Sequence, residues 1–97
     1  MKVYERFLKY VVVHTPSDAA SETAPTTRCQ FDLAEKLVEE MKEIGISDVR
    51  MDDKCYVYGV IPATEGYEDK TRMGFIAHMD TVSDFADHQV NPIVHEN

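Results

Sequence analysis

Cysteine is scarce. Cys29 and Cys55 are the only two in 97 residues, and they form no Cys-x-x-Cys pair. Two thiols are too few for a disulfide-stapled scaffold, so a packed core must hold the fold. Basic side chains are also few: 10 lysines and arginines stand against 18 aspartates and glutamates, a formal net charge of −8. That imbalance argues against nucleic acid and anionic membrane as partners. It suits the attraction of cations, but an acidic solvated surface is the plainer explanation. No apolar run is long enough to span a bilayer, and Met1-Lys2 leads straight into an amphipathic stretch and not into a signal peptide. The expected compartment is therefore the cytoplasm, with free thiols. A Gly-x-Ser-x-Gly nucleophile elbow, a glycine-rich phosphate loop and a His-Glu-x-x-His zinc helix are all missing, and neither cysteine sits beside a recognisable catalytic partner.

What is present is ordinary globular material. The apolar fraction is 43%, and residues 1–97 suffice for one small domain or part of a larger one. Val3, Phe7, Tyr10 and Val11 share a helical face in "VYERFLKYVVV", whose end is weakened because successive valines lose rotamer freedom in a helix. A polar loop follows, "HTPSDAASETAPTT", bracketed by Pro16 and Pro25. The clearest helix is predicted from Thr27 to Ile44. Thr27 and Gln30 fit a capping box, and Phe31, Ala34, Leu37, Val38, Met41 and Ile44 recur at helical spacing. Glu35, Glu39, Glu40 and Glu43 read as its solvated face. Gly45 stands where a left-handed cap is wanted, with Ile46 able to pack back on the last turn.

Beyond Gly45 the period changes to two. "SDVRMDD" alternates Val49 and Met51 with Arg50 and Asp52, "DDK" marks a turn, and "CYVYGVIPA" reads as the hairpin partner. "RMGFIAHM" is apolar on both faces, as a central strand covered on two sides would be. The expected fold class is α/β, with two helices packed on a mixed sheet of about three strands.

That last segment ends in His78-Met79-Asp80. Residues two apart in an extended chain point to the same side, so His78 and Asp80 project together where a strand ends. Open α/β sheets place their ligand sites at strand carboxyl ends. A metal-bound imidazole usually donates its second N–H to a carboxylate, which Asp80 could supply. The plainer reading, a satisfied polar strand end, stands beside it. One histidine cannot hold zinc, which takes three protein ligands in a catalytic site. His14, His88 and His95 lie in loop-like contexts without ligand spacing.

Four stretches, "ERFLKYVVVHTPSD", "LAEKLVEEMKEIGISDVRMDDKCYVYGVIPAT", "GFIAHMDTVSDF" and "VNPIVHEN", carry a resemblance that covers essentially the whole chain. It is to the co-catalytic two-zinc family of aminopeptidases, carboxypeptidases and deacylases, and within it to the tripeptide-aminopeptidase branch. The resemblance implies a hydrolase with two zinc ions, a small peptide substrate and a cytoplasmic setting. It gives His78 the role of a zinc ligand and Asp80 that of the carboxylate orienting it. Ser83 stands where many members carry proline. The family's remaining ligands and its catalytic glutamate come later than Asn97, so residues 1–97 are expected to be the amino-terminal part of a larger zinc-peptidase catalytic domain, inactive in isolation. The family's sheet also implies strand edges left uncovered here, through which the piece would self-associate. A related metal-dependent dipeptidase or deacylase, or a non-catalytic acidic binding module, are the alternatives.

Overall fold

A computed structural model describes residues 1–85 and 89–97. Its elements are helix α1 (Val3–Val11), helix α2 (Gln30–Glu43), strand β1 (Ser47–Met51), strand β2 (Val57–Val60) and one 3₁₀ turn at Ser83–Phe85. The fold class is α/β as expected, but the sheet has two antiparallel strands among the described residues, not about three in mixed order.

The best-ordered packing joins α2 to the hairpin. Leu33 and Ala34 on α2 are buried, and α2 lies against both strands. The helix stops where the sequence says it should. Gly45 takes φ +89°, its N–H donates to the Lys42 carbonyl at 3.1 Å, and the Ile46 N–H reaches back to the Met41 carbonyl at 3.0 Å. Two otherwise orphaned carbonyls are thereby satisfied, and Ile46 is turned towards the last helical turn. Gly59 of β2 sits directly beneath this cap. A Cβ there would lie 2.4 Å from Met41 Cε and 2.6 Å from Ile46 Cγ2, so only glycine allows the strand to come so close.

In the hairpin, Arg50 faces Tyr58 and Met51 faces Val57, with a one-residue slip in β1 where Asp48 adopts φ +51°. Asp tolerates that left-handed conformation better than most side chains. Val49 and Met51 are half-buried while Asp48 and Arg50 are exposed, the alternation expected of a one-sided sheet. The turn is organised by Asp52, whose carboxylate accepts the Lys54 and Tyr56 N–H groups at 3.0 and 2.9 Å. The Tyr56 N–H is the main cause of its lowered pKa. Arg50 stacks over the Tyr58 ring at 4.7 Å on the outer face.

Three expectations need correcting. First, Thr27 and Gln30 do not form a capping box. The helix begins at Gln30, Cys29 precedes it without a side-chain cap, and the Phe31 and Asp32 N–H groups instead bond the carbonyls of Arg28 and Cys29 at 3.1 Å each. A tightened first turn has taken over the capping role. Secondly, Glu40 is not on a solvated face. It is buried, and it accepts Arg6 Nη1 and Lys9 Nζ at 3.0 Å each and the Tyr10 hydroxyl. The Tyr10 hydroxyl, then Lys9, holds its carboxyl below the usual glutamate range, while burial and Glu40 push the Tyr10 phenol up. α1 itself buries no residue, so these side-chain bonds are how it is fastened to α2.

Thirdly, "RMGFIAHM" is not a covered central strand. The segment pairs with no neighbour along its apolar length, and Phe75 and Ile76 are 90% and 102% exposed. A strand buried on both faces needs backbone on each edge and a layer above and below. The described residues offer it neither. The radius of gyration, 16.2 Å, exceeds the roughly 13 Å of a compact domain of this length and reflects that extended stretch.

Candidate functional site

His78 and Asp80 are brought together. His78 Nδ1 lies 3.0 Å from Asp80 Oδ1 and 2.9 Å from the Asp80 carbonyl oxygen. Both partners are acceptors, so the ring nitrogen facing them is the donor, and in the neutral imidazole Nε2 is then the nitrogen left with a lone pair. That is the tautomer a metal-bound histidine needs. The imidazole is exposed, at 85%, and the carboxylate half so, at 41%.

The pair stands on a divide between two grooves. On one side a groove of about 890 Å³ is walled by Phe7 and Tyr10 of α1, Leu33 and Leu37 of α2, and Val82 and Phe85. On the other, a groove of about 840 Å³ is lined by the Phe75–Asp80 segment, the hairpin residues Tyr56 and Tyr58, and Leu37 and Met41 of α2. Apolar walls around a few polar groups are the usual make-up of a small-ligand site. Met79, half-buried, borders both grooves.

The backbone next to the pair is tied down at Thr81. Its N–H donates to the Thr15 carbonyl at 2.9 Å, and its carbonyl accepts from the Ser17 N–H at 2.9 Å and the Ser17 hydroxyl at 3.1 Å. Pro16 and Thr81 thus form a parallel bridge, with Thr15 buried beneath it. These contacts join residues 64 and 66 apart in the chain, and no sequence period announces them.

His14 lines the same groove as His78, His95 lies in the exposed tail, and His88 falls outside the described residues. Among the described residues no three His, Cys, Asp or Glu side chains converge to hold a metal ion. Cys55 is buried, and that burial, then Asp52, pushes its thiol pKa up, which makes it a poor nucleophile and metal ligand. The donor set therefore fits one corner of a zinc site: an imidazole with a free Nε2 and its Nδ1 proton held. The other ligands of a catalytic zinc have no counterpart among the described residues. No helix among them is long and apolar enough to cross a membrane.

By class, the proteins similar to this chain are peptidases. By name they are peptidase T: the chain is 48% identical to that of Bacillus pumilus over 96 residues, which is 99% of this chain and 23% of the relative. It is 50% identical to the peptidase T of Alkaliphilus oremlandii over 95 residues, 96% of this chain and again 23% of the relative. Against the Clostridium perfringens enzyme of the same name the identity is 46% over 96 residues, with the same 99% and 23% coverage. The chain thus spans about a quarter of the length of the curated relatives it matches. No protein-family model matches it.

Proposed function

We propose that this chain supplies one corner of the active site of a zinc-dependent aminopeptidase of the peptidase T type, acting on tripeptides in the cytoplasm. His78 binds one of two zinc ions through Nε2. Asp80 holds the Nδ1 proton and so fixes the tautomer and the direction of the ring. His78 would hold that ion together with ligands beyond the described residues, and the chemistry supplied at the site would be Lewis-acid polarisation of the scissile carbonyl and a more acidic bound water. The observation that carries the reading is the 3.0 Å His78–Asp80 contact in a chain similar along its whole length to peptidase T. Supplying one histidine, the 97 residues alone hydrolyse no peptide and bind zinc weakly.

The test is a chimaera in which this chain replaces the matching quarter of the Bacillus pumilus peptidase T. The chimaera should hydrolyse a tripeptide. His78→Ala should then lower zinc content and rate together, and Asp80→Asn should lower zinc affinity or rate by about 10–100-fold. An unchanged rate and zinc content in His78→Ala would remove the histidine from the site. Tight stoichiometric zinc on the isolated 97 residues would instead require further ligands from His14, His88 or His95.

A further inference from the structure

From residue 61 to residue 80 the chain has neither helix nor strand, and its side chains are exposed as far as His78. Neither helix nor strand therefore fixes the backbone that carries His78 and Asp80. The nearest fixed point is Thr81, clamped between the Thr15 carbonyl and the Ser17 N–H. That clamp belongs to a loop, and the loop is pinned at its centre. The Thr27 hydroxyl donates to the Pro16 carbonyl at 2.7 Å, the shortest distance among the contacts in this network.

Thr27 is fully committed in this arrangement. A hydroxyl has one proton to give and two lone pairs to receive. The proton goes to Pro16, and the lone pairs receive Gln30 Nε2 at 3.0 Å and, more weakly, Cys29 Sγ at 3.4 Å. Gln30 is itself buried and has a second acceptor in Thr26 Oγ1 at 3.1 Å. Its amide therefore keeps a partner if the Thr27 hydroxyl is lost, whereas Pro16 has no other described donor. Sequence reasoning gave Thr27 a capping role that the helix does not use, so the hydroxyl is available for another purpose.

We propose that Thr27 is a positioning residue for the His78–Asp80 pair, acting from the start of α2 through the Pro16 carbonyl and the Thr15–Ser17 clamp on Thr81. The proposal rests on reading that pair as a metal-ligand corner. Its physical content is that the Thr27 proton fixes the loop, the loop fixes the backbone after Asp80, and the fixed carboxylate keeps the proton on His78 Nδ1.

The experiment uses the 97-residue chain without metal, above the pH at which imidazole is protonated. Long-range ¹H–¹⁵N spectra report which His78 nitrogen carries the proton, and amide exchange reports the Thr81 clamp. Thr27→Val keeps the shape and removes the proton. Exchange at Thr81 should then rise by at least about 10-fold while the amides of Leu33–Leu37 change less than about 2-fold, and the Nδ1–H fraction should fall. Thr27→Ser should restore both. Unchanged exchange and tautomer in Thr27→Val, with Asp80→Asn still shifting the tautomer, overturn the proposal and leave the pair intact. A wild-type ring protonated at Nε2 and indifferent to Asp80→Asn overturns both the proposal and the metal-corner reading. Should Thr27→Val not fold, Ser17→Ala removes an exposed bond of the same clamp. It should raise Ser17 amide exchange and lower the Nδ1–H fraction by a smaller amount, and no change in either overturns the route.

Discussion

Two stretches of nearly equal length behave oppositely. From Gln30 to Val60 the chain makes a helix, a cap and a hairpin that pack on one another and bury Leu33, Ala34 and Cys55. From Ile61 to Asn97 it still carries large apolar residues, yet Met73, Phe75, Ile76 and Ile93 are open to solvent. The somewhat lower apolar content of the second stretch does not by itself leave such side chains uncovered. What separates them is the distance to a partner. Each element of the first stretch meets its partner within about a dozen residues, so closing the contact costs little chain entropy. The "GFIAHM" segment needs edges and layers that the described residues do not contain.

The contrast can be broken most directly by protease. Because cleavage follows the population of locally open chain, cuts should fall between residues 61 and 80 at least about 100-fold faster than between 30 and 60. Equal rates measured by mass spectrometry would mean that the exposed segment is covered in solution. Sedimentation asks what covers it: with uncovered strand edges and exposed Phe75 and Ile76, the chain should associate as its concentration rises. A monomer at high concentration would defeat that expectation. Within the ordered half, Gly59→Ala should cost about 1–3 kcal/mol in urea unfolding. Met41 Cε can swing aside from the new methyl, but the branched Ile46 Cγ2 at 2.6 Å cannot. The smallest effect concerns α1. Glu40→Gln should cost about 1 kcal/mol and loosen α1 without unfolding the hairpin, as read by amide exchange in the two elements.

Acid should reproduce the Glu40 result. The folded carboxyl is depressed by the Tyr10 hydroxyl and Lys9. Its contribution is therefore complete above the ordinary glutamate value, about 4.3, and is lost as pH falls through the lower folded value. The wild-type chain should lose α1 protection in that window, and Glu40→Gln should show no such step.

The same contrast explains what was legible in the sequence. The α2 period, the Gly45 cap and the alternation of Val49 and Met51 are local signals, and the structure follows them. The apolar run at 72–79 carried a true strand-like pattern, but pattern cannot supply a neighbour. Glu40 was misread because one carboxylate among five acidic residues on α2 gives no sign that Arg6, Lys9 and Tyr10 converge on it. At the candidate site the His78–Asp80 contact was legible because it spans two residues. Thr15, Thr27 and Thr81 were not, because hydroxyls and backbone N–H groups that meet carbonyls across 11 to 66 positions leave no period.

The fastening of α1 has a consequence for the response to salt. Among the described residues its side-chain bonds to α2 all end on one carboxylate, whereas α2 grips the hairpin through methyl and methylene groups. Dissolved ions screen partly exposed pairs such as Arg6 and Lys9 with Glu40, and an excluded anion such as sulfate strengthens apolar contact. Ionic strength therefore pulls the molecule in two directions at once. In concentrated sulfate the hairpin tightens on α2 while the first helix slackens, and with it the wall that Phe7 and Tyr10 give to the groove beside His78.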